Sequence, residues 1–195
     1  MPRYPNHLLS EGPVNPFPGI KVLERRLGRE IPHRLGSNEG LDMPHRALRE
    51  HFGGADSLIA LALRTTCEPG ETVVSTAGTY PTLGYFAKGQ GCNLVEPSYY
   101  EAPGVLAPDL EALAAAAHQE NARLVYLANP DNPSGHLHSD SDILKLRDAL
   151  PDTCWLLLDE AYGDFRDDAG SEFAAKAIPG VIRLRTLSKA HGLAG

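Results

Sequence analysis

Several things are scarce in this 195-residue sequence, and each scarcity excludes a class of protein. Basic side chains are outnumbered, 18 Lys and Arg against 25 Asp and Glu, for a formal charge of −7. With no cationic surplus to neutralise a phosphate backbone or an anionic bilayer, neither nucleic acid nor membrane is an expected partner. No apolar run is as long as a signal-peptide core or a membrane span, so the expected location is the cytoplasm. Cysteine is rare and odd in number. Cys67, Cys92 and Cys154 lack metal-ligand spacing and lie in or beside apolar stretches, where cysteine is usually a small buried hydrophobe. The expectation is three free thiols in a reducing compartment, with no disulfide and no metal. There is no internal repeat and no low-complexity tract beyond the alanines at 114–117, which are simply good helix formers.

What is present is an apolar fraction of 42%, enough for the core of one ordinary domain. The first 20 residues carry five prolines and no period. Residues 1–34 therefore read as an extended N-terminal arm, ordered only where it lies on another surface, such as a partner subunit. Further on, apolar helical stretches (57–66, 81–90, 108–120 and 141–150) alternate with β-rich runs (72–75, 93–95, 124–128, 155–159 and 181–184). Strands spaced by amphipathic helices predict right-handed βαβ units and an α/β fold with a mostly parallel sheet. Leu124–Ala128 and Trp155–Asp159 are almost continuously apolar, as strands covered on both faces must be.

Ligands of an open parallel sheet sit beyond the carboxyl ends of its strands, so the polar sequence following each strand carries the information. Asn-Pro-Asp-Asn-Pro-Ser-Gly follows the strand at 124–128, Asp-Glu-Ala-Tyr closes the one at 155–159, and Arg-Thr-Leu-Ser-Lys follows the one at 181–184. Singly, each has an ordinary explanation. Asn132 could belong to a plain turn, Asp159 could cap a strand end, and Lys189 could be a solvated loop lysine.

Together, Ala-Asn-Pro-Asp-Asn-Pro-Ser-Gly (128–135), Asp-Glu-Ala-Tyr (159–162) and Arg-Thr-Leu-Ser-Lys-Ala-His-Gly-Leu-Ala-Gly (185–195) resemble the signature of class I/II aminotransferases, enzymes of pyridoxal 5′-phosphate (PLP). The nearest likeness is to the histidinol-phosphate aminotransferase group, and it runs over roughly residues 35–195. The resemblance implies a three-layer αβα large domain of PLP fold type I over 35–195, a homodimer, and transfer of an amino group between an amino acid or amino alcohol phosphate and a 2-oxo acid. It also implies roles. Lys189 would carry the cofactor as a Schiff base and then move the proton, its amine made less basic by burial and the cationic cofactor. Asp159 would pair with the pyridinium nitrogen, Asn132 and Tyr162 would bond the phenolic oxygen, and Tyr80 of Ala-Gly-Thr-Tyr would lie on the ring face. Gly54, Ala55 and Asp56 would start a helix whose free N–H groups hold the phosphate, helped by the Thr186 and Ser188 hydroxyls. Asn38, in Ser-Asn-Glu, would face the substrate.

Other residues carry weaker signals. His136 and His138 read as a solvated loop rather than a metal site. Asp164, Asp167 and Asp168 read as a solvated acidic turn, and His191 is a candidate substrate-side group. Against the family pattern, Phe52 and Gly53 run straight into Gly-Ala-Asp, where relatives place a tyrosine-bearing loop, a helix and a strand. The arginine after the lysine and the small C-terminal domain with its substrate arginine are likewise not in the sequence, which is therefore expected to lack a segment near 52–54 and to stop short of the whole enzyme. Three rival readings remain: a PLP-dependent amino-acid decarboxylase of the same fold, a non-catalytic PLP-binding sensor domain, and a catalytically dead scaffold.

Overall fold

The structure, a computed structural model, describes residues 20–29, 54–167 and 177–192. Asn38, Asp168 and most of the junction at 52–54 lie outside these residues.

Five helices are described: α1 (Ile20–Leu27), α2 (Ala55–Thr66), α3 (Thr82–Gln90), α4 (Leu110–Gln119) and α5 (Asp140–Ala149). The strands are β1 (Thr72–Val74), β2 (Asn93–Val95), β3 (Tyr100–Ala102), β4 (Val105–Ala107), β5 (Leu124–Ala128), β6 (Trp155–Asp159) and β7 (Val181–Leu184), with a 3-10 turn at Gly163–Phe165. Helix starts follow local chemistry. Asp109 and Ser139 each accept a bond from the backbone N–H three residues on, capping α4 and α5. Gly91 ends α3 in the left-handed conformation, which a residue with a Cβ adopts at a cost.

β1, β2, β5, β6 and β7 form one parallel sheet in the order β2-β1-β5-β6-β7. Alternation along the strands sorts the core into two halves. Val73, Leu124, Tyr126, Leu157 and Leu184 meet Ile59 and Leu63 of α2 and Leu83 and Ala87 of α3 on one face. Val74, Val125, Leu127, Leu156 and Leu158 meet Leu113 and Ala117 of α4 and Ile143 and Leu146 of α5 on the other. The result is the expected three-layer αβα arrangement. Cys67, Cys92 and Cys154 are buried and free, and burial raises all three thiols, to about 11 for Cys92 and Cys154.

Two elements depart from the sequence reading. The supposed arm contains α1, where Ile20–Leu27 is free of proline and glycine and has Arg25 and Arg26 in the last turn, next to the negative end of the helix dipole. A separate antiparallel hairpin, β3–β4, turns through Pro103 and Gly104, whose φ of +77° suits the glycine position of a type II turn. Ile20, Leu23 and Leu27 recur at helical spacing, but α1 is only eight residues long and the hairpin strands three residues each.

Leu157, fully buried among residues of α2, β1 and β5 on one face, tests this packing. Leu157→Ala is expected to cost about 3 kcal/mol of unfolding free energy, read from chemical denaturation.

Candidate active site

The sheet order reverses between β1 and β5, and this switch point opens a crevice beyond their carboxyl ends. The loops following the two strands are tied together across it. Thr79 Oγ1, in the segment after β1, donates to Asp131 Oδ1 at 2.8 Å, and Tyr99 O–H donates to Asp131 Oδ2 at 2.8 Å. Ser134 Oγ adds a bond of 2.6 Å to the same carboxylate. Asp131 is almost fully buried, so these donors replace its water and hold the loop that carries half-buried Asn132. The Asn129–Pro130 and Asn132–Pro133 peptides are both cis. Asn132 and Tyr162 both line an open cleft, together with Pro130, Leu137, Phe165 and Arg166.

One strand over, Asp159 ends β6 with 4% exposure. Its backbone is locked on one side by Asn129 N–H donating to its carbonyl at 2.8 Å, and the next residue, Glu160, donates its N–H to Leu184. The carboxylate receives two neutral donors, Tyr126 O–H on Oδ2 at 2.7 Å and Ala161 N–H on Oδ1 at 2.9 Å. Among the described residues no cationic side chain forms an ion pair with it. Burial therefore raises its pKa, against the pull of Tyr126 and Ala161, with Asp56 adding to the rise and Lys189 opposing it.

The lysine loop follows β7. Lys189 Nζ stands 5.9 Å from the centre of the Tyr162 ring, within cation–π range. Buried Thr186 and Ser188 share a hydroxyl–hydroxyl bond of 2.7 Å. Glu160, 4% exposed, binds the Arg183 guanidinium through both carboxylate oxygens and lies 3.5 Å from Arg185 Nε. That ion pair fastens the Asp-Glu-Ala-Tyr turn to the strand feeding Lys189. α2, packed against β7, begins at Ala55 with Gly54 as its cap residue and Asp56 in the first turn. Tyr80 O–H donates to Asp56 Oδ1 at 2.8 Å, and burial, reinforced by Asp56 and Asp159, keeps its phenol protonated.

Two sequence expectations change. His191 pairs with Asp164 at 3.0 Å, so that carboxylate is not merely solvated. His136 and His138 are half-buried rather than loosely solvated, their rings edge to face at 4.5 Å, and His138 Nε2 lies 3.0 Å from the Pro108 carbonyl. Burial lowers the His138 pKa, and no metal-binding cluster occurs among the described residues.

The profile of the family described as aminotransferase class I and II matches residues 49–195. The chain belongs to that family. It is 30% identical to a histidinol-phosphate aminotransferase of Anaeromyxobacter sp. over 234 residues, covering 100% of this chain and 63% of the relative. With the histidinol-phosphate aminotransferase of Maricaulis maris it is 37% identical over 145 residues, 72% of this chain and 38% of the relative. The crystal structure of the Sinorhizobium meliloti histidinol-phosphate aminotransferase in complex with PLP superimposes with a TM-score of 0.78 at 33% identity, covering 100% of this chain and 61% of that one. The chain thus spans less than two thirds of the length of these relatives.

Within this aminotransferase-family domain, the carboxyl ends of β5 and β6, the turn after β6 and the loop after β7 present Asn132, Asp159, Tyr162 and Lys189. Tyr80 and the start of α2 are joined by the bond to Asp56. Asp131, Tyr126 and Glu160 were not read from the sequence. Tyr126 alone gave a signal, as the single hydroxyl in an apolar strand, since a buried tyrosine O–H requires a partner.

A raised carboxyl pKa in the folded state means that the fold binds that proton more tightly than the unfolded chain does. Asp159 therefore supports stability fully below the ordinary carboxylate range, and the support is lost as pH rises through its raised value. Asp159→Asn, which does not titrate, is expected to gain melting temperature relative to the cofactor-free parent as pH rises from about 4 to about 8. A gap that stays constant with pH would show that the carboxylate is not held in a dry site.

Proposed function

We propose that this chain binds PLP and forms the cofactor-holding part of an aminotransferase that moves an amino group between an amino acid or amino alcohol phosphate and a 2-oxo acid. Histidinol phosphate with 2-oxoglutarate is the leading substrate pair, its first member supported by the likeness to histidinol-phosphate aminotransferases. The observation that carries the reading is Asp159, a buried carboxylate at the end of a central strand with neutral donors only among the described residues. Such a group is uncomfortable without a cation and fits the protonated ring nitrogen of PLP.

When bound, the cofactor supplies an electron sink for the carbanion left as the substrate loses its α-proton. The remaining work falls to the chain. Asp159 keeps the ring nitrogen protonated. Lys189 would hold the cofactor through its amine and, once that amine is free, would take and return the proton as general base and acid. Asn132 and Tyr162 would donate to the phenolic oxygen, and Tyr80, steadied by Asp56, would lie on the ring face. The backbone N–H groups of Gly54, Ala55 and Asp56 at the start of α2, with the hydroxyls of Thr186 and Ser188, receive the phosphate. Asn38 is assigned to the substrate side on the resemblance of Ser-Asn-Glu alone.

The reading extends to a cytoplasmic homodimer. The homodimer is what the family resemblance implies, and the three free, buried cysteines suit a reducing compartment. The alignment with the Anaeromyxobacter relative is longer than the chain it wholly covers, which supports the reading that the chain lacks an internal segment present in relatives.

Borohydride reduction of the PLP-loaded protein is expected to bleach its absorbance and leave a pyridoxyl group on Lys189, located by peptide mass spectrometry. Lys189→Ala loses both the mark and turnover, and a fully active Lys189→Ala sinks the proposal. Substrate-dependent formation of pyridoxamine phosphate separates transamination from decarboxylation and from a sensor role. Asp159→Asn is expected to slow proton transfer about a hundredfold, roughly 3 kcal/mol in the barrier, in single-turnover kinetics.

A further inference from the structure

Tyr126 sits in the middle of β5 with 0% exposure, surrounded by the apolar residues shared by α2, α3 and the sheet. For packing alone a phenylalanine would serve. The hydroxyl is the part that packing does not need, and burying it without an acceptor would cost the free energy of its lost water contacts.

Strand register supplies the acceptor. Tyr126 lies opposite Leu157 in the parallel β5–β6 pair, and Ala128 lies opposite Asp159. With side chains alternating between faces, Tyr126 and Asp159 share one face, two residues apart along the strands. The phenol crosses that diagonal to reach Asp159 Oδ2 at 2.7 Å. Oδ1 is held from the other side by Ala161 N–H at 2.9 Å. The carboxylate is thus gripped at both oxygens, once by its own turn and once by a side chain from the neighbouring strand.

Resting on the PLP reading above, we propose that Tyr126 is a positioning residue for the cofactor's ring nitrogen: its hydroxyl fixes the Asp159 carboxylate and favours its ionised form in a dry site. The charged and titratable groups facing this pair come from several elements. Asp56 at the start of α2 favours protonation of Asp159, whereas Lys189 after β7 favours ionisation. Tyr80 and Asp131, from the loops after β1 and β5, act on the Tyr126 phenol, which burial and then Asp159 hold protonated. A protonated phenol can only donate to a carboxylate, so the direction of the bond is settled. Tyr126 thereby offsets part of the burial that would otherwise neutralise Asp159.

The test is the pH profile of PLP affinity for the cofactor-free full chain, followed by quenching of protein fluorescence from about pH 5 to about pH 9. Tyr126→Phe is expected to move the acid limb of the profile upward by about one pH unit while changing affinity less than about threefold at the alkaline plateau. Replacing Tyr126 with 3-fluorotyrosine, which keeps the ring and hydroxyl but donates more strongly, is expected to move the limb downward, and it tests the idea even if the phenylalanine variant does not fold. In an Asp159→Asn background, Tyr126→Phe is expected to leave the limb where it is. Unchanged midpoints in both variants, or a loss of affinity by the same factor at every pH, overturn the proposal and leave Tyr126 a packing residue. A wild-type chain that takes up no PLP at any pH overturns the proposed function itself, and this inference with it.

Discussion

The two central strands β5 and β6 are buried on both faces, and most of the site follows from that constraint. Every side chain between Leu124 and Ala128 and between Leu156 and Asp159 is out of water, so a polar group can be tolerated only where a partner waits for it. Away from the strand ends the chain satisfies this rule with leucine, valine and alanine, and with one tyrosine whose hydroxyl has a carboxylate to meet. At the ends, where backbone N–H groups and loops become available, carboxylates appear: Asp131, Asp159 and Glu160. Each is almost fully buried, and each is met by a different kind of partner.

Those three differ in a way that bears on function. Asp131 is fully occupied by hydroxyl and backbone donors from its own loop and two others, which makes it a clamp. Glu160 has guanidinium partners and fastens one turn to the next strand. Asp159 has only neutral donors among the described residues and a pKa raised by burial, so it is the one that gains most from a cationic ligand. A site that is costly to the fold and useful to a ligand is the usual sign of function held against stability.

The family relationship and this geometry are independent supports for the same reading. Solved structures of C–S lyases share the architecture at 16% identity, which speaks to the fold alone. The closer likeness to histidinol-phosphate aminotransferases rests on a third of the residues being identical.

Much of the architecture was legible from local pattern. The apolar runs at 124–128 and 155–159 have too few polar residues for anything but doubly covered strands, and the periodic stretches at 57–66 and 81–90 match α2 and α3 within two residues. Asn132, Asp159 and Lys189 stand at strand ends and turns, where each alone has an ordinary explanation, and it was the resemblance of the three motifs together that gave them roles. α1 and the β3–β4 hairpin escaped because elements of eight and three residues are too short for a period to stand out beside flanking proline and glycine. What pairing decided was who meets whom. Nothing local says that Asp131 will collect Thr79 and Tyr99 from loops more than thirty residues away, or that Glu160 will find Arg183. Tyr126 and Asp159 lie 33 residues apart in sequence and touch only because parallel register sets them on one face, two positions out of step. Residue types and their spacing determined which groups could do chemistry, whereas the register of strands brought together by the core determined which of them share a proton, a charge or a hydrogen bond.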